Sequence, residues 1–367
     1  MQDGRIRVGG VMLSPLEAAF VAHAIDRGMI GPGKLTESFE RELAAVHGYK
    51  HCLCLNSGQS AIMVALEALR LQSGRKLKVA VPAITYISSL AAVIQSGNDP
   101  VLVDVHREAH AEMDYDQMPG DIDVVLPVHL FGAAISRPYP FQNIAVEDAC
   151  EACYAPGTGF SDILCTSFYS SHTVTTGMGG AIMCNDDEFF FKCWQLVNHG
   201  RIKHDDYTNT TNLKDRFTFN EVGYSLKYAD LNASIGLAQH YNRDNIIDAR
   251  QYIGMLLTEG LQELGFQQGP NIMPVENNTY MMFPILLDDG MNRDNVVDQL
   301  NSHDIETRMM MPITSQPIVK QIFGDDVETR YPNARFINNH GFYVGSHPMM
   351  TDEDVNQIVA VLKEAIQ

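Results

Sequence analysis

Ile163-Leu164-Cys165-Thr166-Ser167-Phe168-Tyr169-Ser170-Ser171-His172-Thr173-Val174-Thr175-Thr176-Gly177-Met178-Gly179-Gly180-Ala181-Ile182-Met183-Cys184 is the stretch that decides the fold. The apolar run over residues 163–168 predicts a strand, the hydroxyl-rich residues after it a short loop, and the glycines a turn into a second strand over 181–184. Moving outward, five more short apolar runs (52–55, 79–81, 101–105, 124–128 and 144–146) alternate with helical or loop segments. Alternation of this kind predicts an α/β architecture, with a mostly parallel seven-stranded sheet covered by helices on both faces. Ligands of such sheets sit beyond the carboxyl ends of the strands. The polar loop that holds His172 falls at one of those ends.

Ser14-Pro15-Leu16-Glu17 reads as a capping box with proline in the first helical turn, so a helix should run to about residue 27. Residues 35–47 predict a second amphipathic helix. After Asp230 one long helical pattern continues to about residue 264. Beyond it come a strand over 281–287, a helix over 292–302, a strand over 342–344 and a final helix over 352–366. We therefore expect a large domain over residues 1–240 and a smaller C-terminal α/β domain over 241–367, with residues 1–30 packing on the small one.

The chain has 367 residues, 45% of them hydrophobic, which is enough for a large core. No apolar run approaches the roughly 20 residues of a membrane span, and the N-terminus lacks the layout of a signal peptide. Seven cysteines, an odd number, suggest reduced thiols and a cytoplasmic protein. A net charge of −19 argues against nucleic acid as partner, because neutralising phosphates needs clustered Lys and Arg. Cys52-Leu53-Cys54 and Cys150-Glu151-Ala152-Cys153 lack the second matching pair of a zinc site, so no metal is expected.

Three further segments stand at strand ends. Asn56-Ser57-Gly58-Gln59-Ser60-Ala61 leads from a strand into a helix expected from about residue 59. Exposed amides at a helix start suit a phosphate, although an ordinary turn has the same appearance. Asp148, after the strand over 144–146, fits either a ligand-binding carboxylate or a helix cap. Tyr86, after Pro82-Ala83-Ile84-Thr85, fits either stacking on a ligand or the core.

Taken together these segments resemble the sugar aminotransferases that use pyridoxal phosphate (PLP), the DegT/DnrJ/EryC1 (StrS) family. The resemblance runs from Gly31-Pro32-Gly33 to the last helix. It implies a PLP-dependent transferase fold of type I, like that of aspartate aminotransferase. It also implies that Ser57, Gly58, Gln59, Ser60 and Ser167 hold the cofactor phosphate, that Tyr86 stacks on its ring, and that Asp148 sits under the ring nitrogen. Glu151 takes a position that is usually glutamine in the aminotransferases and acidic in related dehydratases, near the ring hydroxyl. His129, in Val128-His129-Leu130-Phe131-Gly132, is structural or lines the pocket. Gly223-Tyr224-Ser225-Leu226-Lys227 is similar to a loop that reaches the partner's cofactor in a homodimer with shared active sites. Ser225 replaces its usual asparagine and offers one donor where the amide offers two. Ile305-Glu306-Thr307-Arg308 makes Arg308 a substrate-side candidate.

One departure matters most. In the family the Ser-Phe pair is followed, after a few residues, by the lysine that binds the cofactor covalently, and then by Gly-x-Gly-Gly. Here His172 holds that place, as it does in dehydratases resembling GDP-4-keto-6-deoxymannose 3-dehydratase. Imidazole cannot form a Schiff base, but it moves protons near neutral pH. The resemblance therefore implies a PLP- or pyridoxamine-phosphate (PMP)-dependent 3-dehydratase of a nucleotide-linked 4-keto-6-deoxyhexose, in deoxysugar biosynthesis. The cofactor would be bound noncovalently, L-glutamate would be the amino donor and His172 the acid/base. Two alternatives stay open: a nucleotide-sugar aminotransferase using glutamate, helped by His172 or by a partner's Lys227, and a catalytically lapsed binding paralogue. One dehydratase branch carries an iron–sulfur cluster; no cysteine follows His199-Gly200-Arg201, so none is expected here.

Overall fold

The computed structural model describes residues 4–134, 142–202, 217–267, 271–272 and 277–366. Seven short runs form one sheet: β1 (His51–Leu55), β2 (Lys78–Pro82), β3 (Asp99–Val103), β4 (Val124–Val125), β5 (Ile144–Asp148), β6 (Ile163–Ser167) and β7 (Gly180–Cys184). Their order is β1-β7-β6-β5-β4-β2-β3. Every pair is parallel except those of β7, which runs antiparallel to both β6 and β1. β6 and β7 are buried along their whole length, which is why they read as unbroken apolar runs.

Two strands differ from expectation for local reasons. Strand β4 stops at Val125, where residues 124–128 were expected, because Pro127 has no N–H to give the ladder. Strand β3 is shifted to Asp99–Val103, with Pro100 inside it; that proline is tolerated because β3 is an edge strand. Beyond β3 the Asp104 carboxylate accepts from the amides of Val105, Asn333 and Ala334 and turns the chain away from the sheet.

The helices that support the site are α1 (Pro15–Asp26), α2 (Lys34–His47), α3 (Gly58–Ser73), α4 (Ile87–Gln95) and α5 (Asp187–Val197). The capping box of α1 forms as the sequence implies, with Ser14 and Glu17 exchanging hydrogen bonds. The single long helix expected after Asp230 is two helices, α6 (Asp230–Tyr241) and α7 (Arg243–Glu263), broken at Asn242 (φ −102°, ψ 5°). Both halves carry a compatible apolar stripe, so periodicity alone does not reveal the break. It separates two jobs: α6 packs on α1 and α2, whereas α7 packs on the C-terminal helix Asp352–Ala365. A small antiparallel sheet, β8 (Met282–Leu286), β9 (Arg308–Met309) and β10 (Gly341–Gly345), follows in the order β8-β10-β9. The N-terminal segment joins this region, since Ile6 bridges Ile305 and Val8 N–H donates to Glu306.

All seven cysteines are free thiols. Six are buried and Cys150 is partly exposed. Burial pushes up the thiols of Cys52, Cys54, Cys165 and Cys193. Among the described residues no cluster of His, Cys, Asp or Glu could hold a metal ion, and no helix is long and apolar enough to cross a membrane.

Helix α2 begins at Gly33, which has no side chain to cap it. The carboxylate of Asp230, fully buried, does so from nearly 200 residues away. It accepts from Thr36 N (2.9 Å), Thr36 Oγ1 (2.8 Å) and Leu35 N (3.3 Å). Losing a charged acceptor that serves buried donors costs about 3 kcal/mol. Asp230→Ala is therefore expected to lower the urea midpoint clearly at unchanged slope; an unshifted midpoint would mean that α2 draws its cap from elsewhere.

Candidate active site

A cavity of about 870 Å³ opens at the carboxyl edge of the large sheet. Strand β7 runs backwards, so the loop between β6 and β7 must lie at that edge, where β1 also hands over to α3. Ser57, Gly58, Gln59, Tyr86, Asp148, Glu151, Ser167, His172 and Arg308 all line the cavity. Ser60 and Ser225, named with them from sequence, do not.

At one end stands the start of α3. Ser57 caps it, accepting from Ser60 N–H at 3.1 Å and donating to Ser60 Oγ at 2.9 Å. Ser60 thus partners the cap and is not among the cavity's lining residues. Gly58 must be glycine for space: a Cβ there would lie 2.5 Å from Cys150 Sγ and 2.7 Å from Ser167 Cβ. The turn is pressed against the end of β6, which brings the Ser167 hydroxyl beside the first amides of the helix.

Asp148 is the last residue of β5 and is almost fully buried. Both carboxylate oxygens are engaged. Oδ2 accepts from Ser89 Oγ at 2.8 Å, Ser89 pairs with Thr85 Oγ1 at 2.9 Å, and Oδ1 accepts from Cys150 N–H at 3.1 Å. The two hydroxyls fix the plane of the carboxyl group. The alternative reading of Asp148 as a cap for a following helix does not hold, because no helix follows β5 directly.

His172 points its Nδ1 at the Ser167 carbonyl, 3.4 Å away. A carbonyl only accepts, so Nδ1 carries the hydrogen and Nε2 keeps the lone pair. Burial outweighs the upward pull of the Ser167 carbonyl and, with the nearby Arg250 guanidinium acting in the same direction as burial and the Cys150 carbonyl against it, leaves the imidazole pKa lowered to about 4. At neutral pH the ring is an uncharged base. Tyr169 meets it edge-on, with centroids 5.8 Å apart.

Glu151 is the second perturbed group of the cavity. Burial pushes its carboxyl up to about 8, against the N–H of Phe131 that it accepts at 2.7 Å. Phe131 holds that N–H in place with a left-handed backbone, φ 60°. Tyr86 is 61% exposed at the start of α4, with its ring free to cover a ligand. Arg308 reaches the rim from β9 in an ion pair with Glu306. His129 is fully buried, 2.6 Å from Glu147, and lies outside the cavity, so its role is structural. Ser225 is exposed and bridges Asn198. Lys227 Nζ lies 3.3 Å from His199 Nε2, and among the described residues no lysine lines the cavity.

Several residues of the site carry no sequence signal that we read. Arg7, Val8 and Gly9 form one wall, and Met281, Met282, Met311 and Tyr343 form an apolar one. Ser89 and Thr85 sit behind Asp148. Arg250 sits behind His172, and here a signal existed: it falls on the apolar stripe Ile246, Ile253, Leu257, Leu261 of α7.

The donor set fits a phosphorylated pyridine ring. A helix start with two serine hydroxyls suits the phosphate, a buried and oriented carboxylate suits a protonated ring nitrogen, and an exposed tyrosine suits the ring face.

The sequence from 13 to 363 matches the family model described as the DegT/DnrJ/EryC1/StrS aminotransferase family. GDP-perosamine synthase of Caulobacter vibrioides is 27% identical, over 99% of this chain and 98% of that protein. The dTDP-4-dehydro-2,6-dideoxy-D-glucose 3-dehydratase of Saccharopolyspora spinosa is 26% identical, over 98% of this chain and 86% of that one. Among solved structures, E. coli GDP-4-keto-6-deoxy-D-mannose-3-dehydratase with bound hydrated PLP superposes with a TM-score of 0.86 at 19% identity, covering 97% of this chain and 99% of that one. A GDP-4-keto-6-deoxymannose-3-dehydratase named ColD, similar in fold, is known as a histidine-to-asparagine variant with bound GDP-perosamine. A second ColD variant turns a histidine into lysine and the serine just before it into asparagine.

The lowered pKa of His172 has a measurable consequence. An imidazole titrates near 6.5 in an unfolded chain, so between about pH 6.5 and 4 the unfolded state binds the proton that folded His172 refuses. Its contribution to stability is therefore lost as pH falls through that window. Glu40 and Glu151, both raised to about 8, work in the opposite direction, so the total slope is not diagnostic. The difference is: His172→Asn should gain melting temperature relative to the parent protein on acidification from about pH 7 to about pH 5. Parallel curves for the two proteins would show that His172 titrates normally.

Proposed function

The chain belongs to the DegT/DnrJ/EryC1/StrS aminotransferase family, and from that premise we propose that it is a PLP/PMP-dependent enzyme that removes the carbon-3 hydroxyl of a nucleotide-linked 4-keto-6-deoxyhexose. The observation that carries this reading is His172, a neutral imidazole in the cavity where the family uses a covalently bound lysine. A serine directly precedes His172, the same Ser-His order as in the pair exchanged in the ColD variant.

When bound, the cofactor supplies an amino group that joins a ketone and a ring that accepts an electron pair. The protein's own groups do the rest. Ser57, the amides of Gly58 and Gln59, and Ser167 hold the phosphate without a covalent anchor. Asp148, aimed by Ser89 and Cys150, keeps a proton on the ring nitrogen. Tyr86 covers the ring, and Arg308 meets the substrate side. His172 Nε2 takes a proton and returns it to the departing hydroxyl oxygen, acting as base and then acid. A lysine in its place would also serve as base, but it would compete for the cofactor. Glu151, whose carboxyl burial pushes up to about 8, would offer a hydrogen-bond donor to the ring hydroxyl. L-glutamate is the amino donor, and a second copy of the chain brings Ser225 to the shared site.

Amination of the same sugar is the second reading, and sequence relatedness favours it. The GDP-perosamine synthases of Caulobacter vibrioides and Vibrio cholerae are 27% and 26% identical to this chain over nearly its full length. Dehydration is favoured by the chemistry at position 172, amination by overall descent.

Mass spectrometry of the sugar separates the two. After incubation with PLP, L-glutamate and GDP-4-keto-6-deoxymannose, we expect loss of the carbon-3 oxygen. Gain of an amine would replace the first reading by the second, and an unchanged sugar across GDP- and dTDP-linked 4-keto-6-deoxyhexoses would count against both. His172→Lys should capture the cofactor covalently, so borohydride reduction and peptide mapping should find its mass at position 172 and deoxygenation should fall at least tenfold. Full deoxygenation by that variant would remove His172 from the mechanism.

A further inference from the structure

Arg250 is among the largest fully buried side chains of the protein, and its charge has no carboxylate partner among the described residues. A guanidinium in that position is costly unless its donors are used. It spends them on backbone. Nη1 donates to the carbonyls of Ser346 (2.9 Å), Met281 (3.0 Å) and Tyr280 (3.3 Å), and Nη2 donates to the carbonyl of His172 (3.4 Å); Nε has no partner. One planar fork thus holds three pieces of chain: the loop of His172, the lead into β8, and the residue after β10.

The same face of α7 seats the segment before β8. Gln251 donates to the Asn278 carbonyl at 2.9 Å. At Gly254, one turn beyond Arg250, a Cβ would lie 2.4 Å from the Tyr280 ring, so glycine is what lets that ring pack on the helix. Tyr280 itself sits at φ 48°, strained for a bulky residue and held there by its surroundings. The segment meets the histidine loop a second time through the hydroxyls of Thr279 and Thr173, 3.4 Å apart. Its next two residues, Met281 and Met282, face the cavity.

We propose that Arg250 is the positioning residue of His172: it fixes the backbone of the base and couples it to the Met281–Met282 wall, so that His172 is set only when that wall is seated. The coupling is a role beyond the cofactor and substrate contacts already described, and it rests on the reading of His172 as the base. The charge acts in the same direction. An uncompensated cation close behind the ring opposes a second positive charge on it. The other titratable groups that line the cavity with His172 are Tyr169 on its own loop, Asp148 at the end of β5 with Cys150 and Glu151 beyond it, Tyr86 before α4, Arg7 from the N-terminal segment, and Glu306, Arg308 and Tyr343 from the C-terminal side. His347 faces Arg250 from beyond β10.

The test needs no substrate in its first arm. In protein carrying labelled histidine, the His172 signal, identified by its loss in His172→Asn, is followed against pH by nuclear magnetic resonance. The midpoint should lie below about 5 in the parent, rise measurably in Arg250→Met, where the charge is lost and the apolar volume kept, and stay low in Arg250→Lys. A folded Arg250→Met with the parent's midpoint would overturn the proposal, as would a midpoint near 6.5 in Arg250→Lys. The second arm reads turnover in Arg250→Lys, which keeps the charge but not the fork. It should lose at least tenfold in kcat with KM within twofold, and the loss should vanish in the His172→Asn background. A loss that multiplies with His172→Asn would overturn the coupling and covers the case in which Arg250→Met does not fold. If the parent protein turns over no sugar at all, it is the catalytic reading that fails, and the titration arm still decides the role of Arg250.

Discussion

The reversed direction of β7 is the constraint on which the site depends. Because β7 pairs antiparallel with β6 on one side and β1 on the other, the chain must turn back at the carboxyl edge between Ser167 and Gly180. That turn carries His172. On the far side of β7, strand β1 ends at the same edge and opens α3, so the helix start that suits a phosphate lies next to the loop that holds the base. Asp148 enters from β5, the neighbour of β6. A wholly parallel sheet would have sent the chain after β6 away through a crossover, without the tight return between Ser167 and Gly180 that holds His172.

Asp230 is the counterpart of that constraint on the outer face. Its carboxylate ties the start of α2 to the start of α6, and with them α1, which packs on α6. The break at Asn242 then lets α7 leave that layer and carry Arg250 to the back of the histidine loop. Sequence periodicity showed the helical stretch but not its two allegiances, because both halves present an apolar stripe and only packing tells them apart. The strand ends were misjudged where a proline or a side-chain cap, Pro127 and Asp104, overrode an otherwise strand-like run.

What was legible in the site follows a similar division. Ser57, Gly58, Asp148, Ser167 and His172 stand at strand ends, and position in a parallel sheet is a strong guide to where ligands go. Ser60, expected among the phosphate ligands, stands in the helix cap and outside the cavity lining, and a cap and a phosphate contact draw on the same residue types. The wall from Arg7 to Gly9 and the methionines near β8 arrive from remote parts of the chain, and no local pattern announces such meetings. Arg250 lay between: a charged residue on an apolar stripe is a visible anomaly, but its carbonyl partners are known only from the fold. The weight between dehydration and amination divides in the same way, with one residue of the site arguing for the first and descent along the whole chain for the second.

The buried thiols lend the sheet a property of another kind. Cys52 and Cys54 on β1 pack on one face of the sheet at the antiparallel seam, Cys165 on β6 and Cys184 on β7 on the other, and none is exposed. A thiol reagent reaches them only when those strands part, because the reactive thiolate is suppressed by burial and the sulfur is shielded. Their labelling rate is therefore a clock for local unfolding of the very seam that positions His172, and each strand of it carries its own reporter.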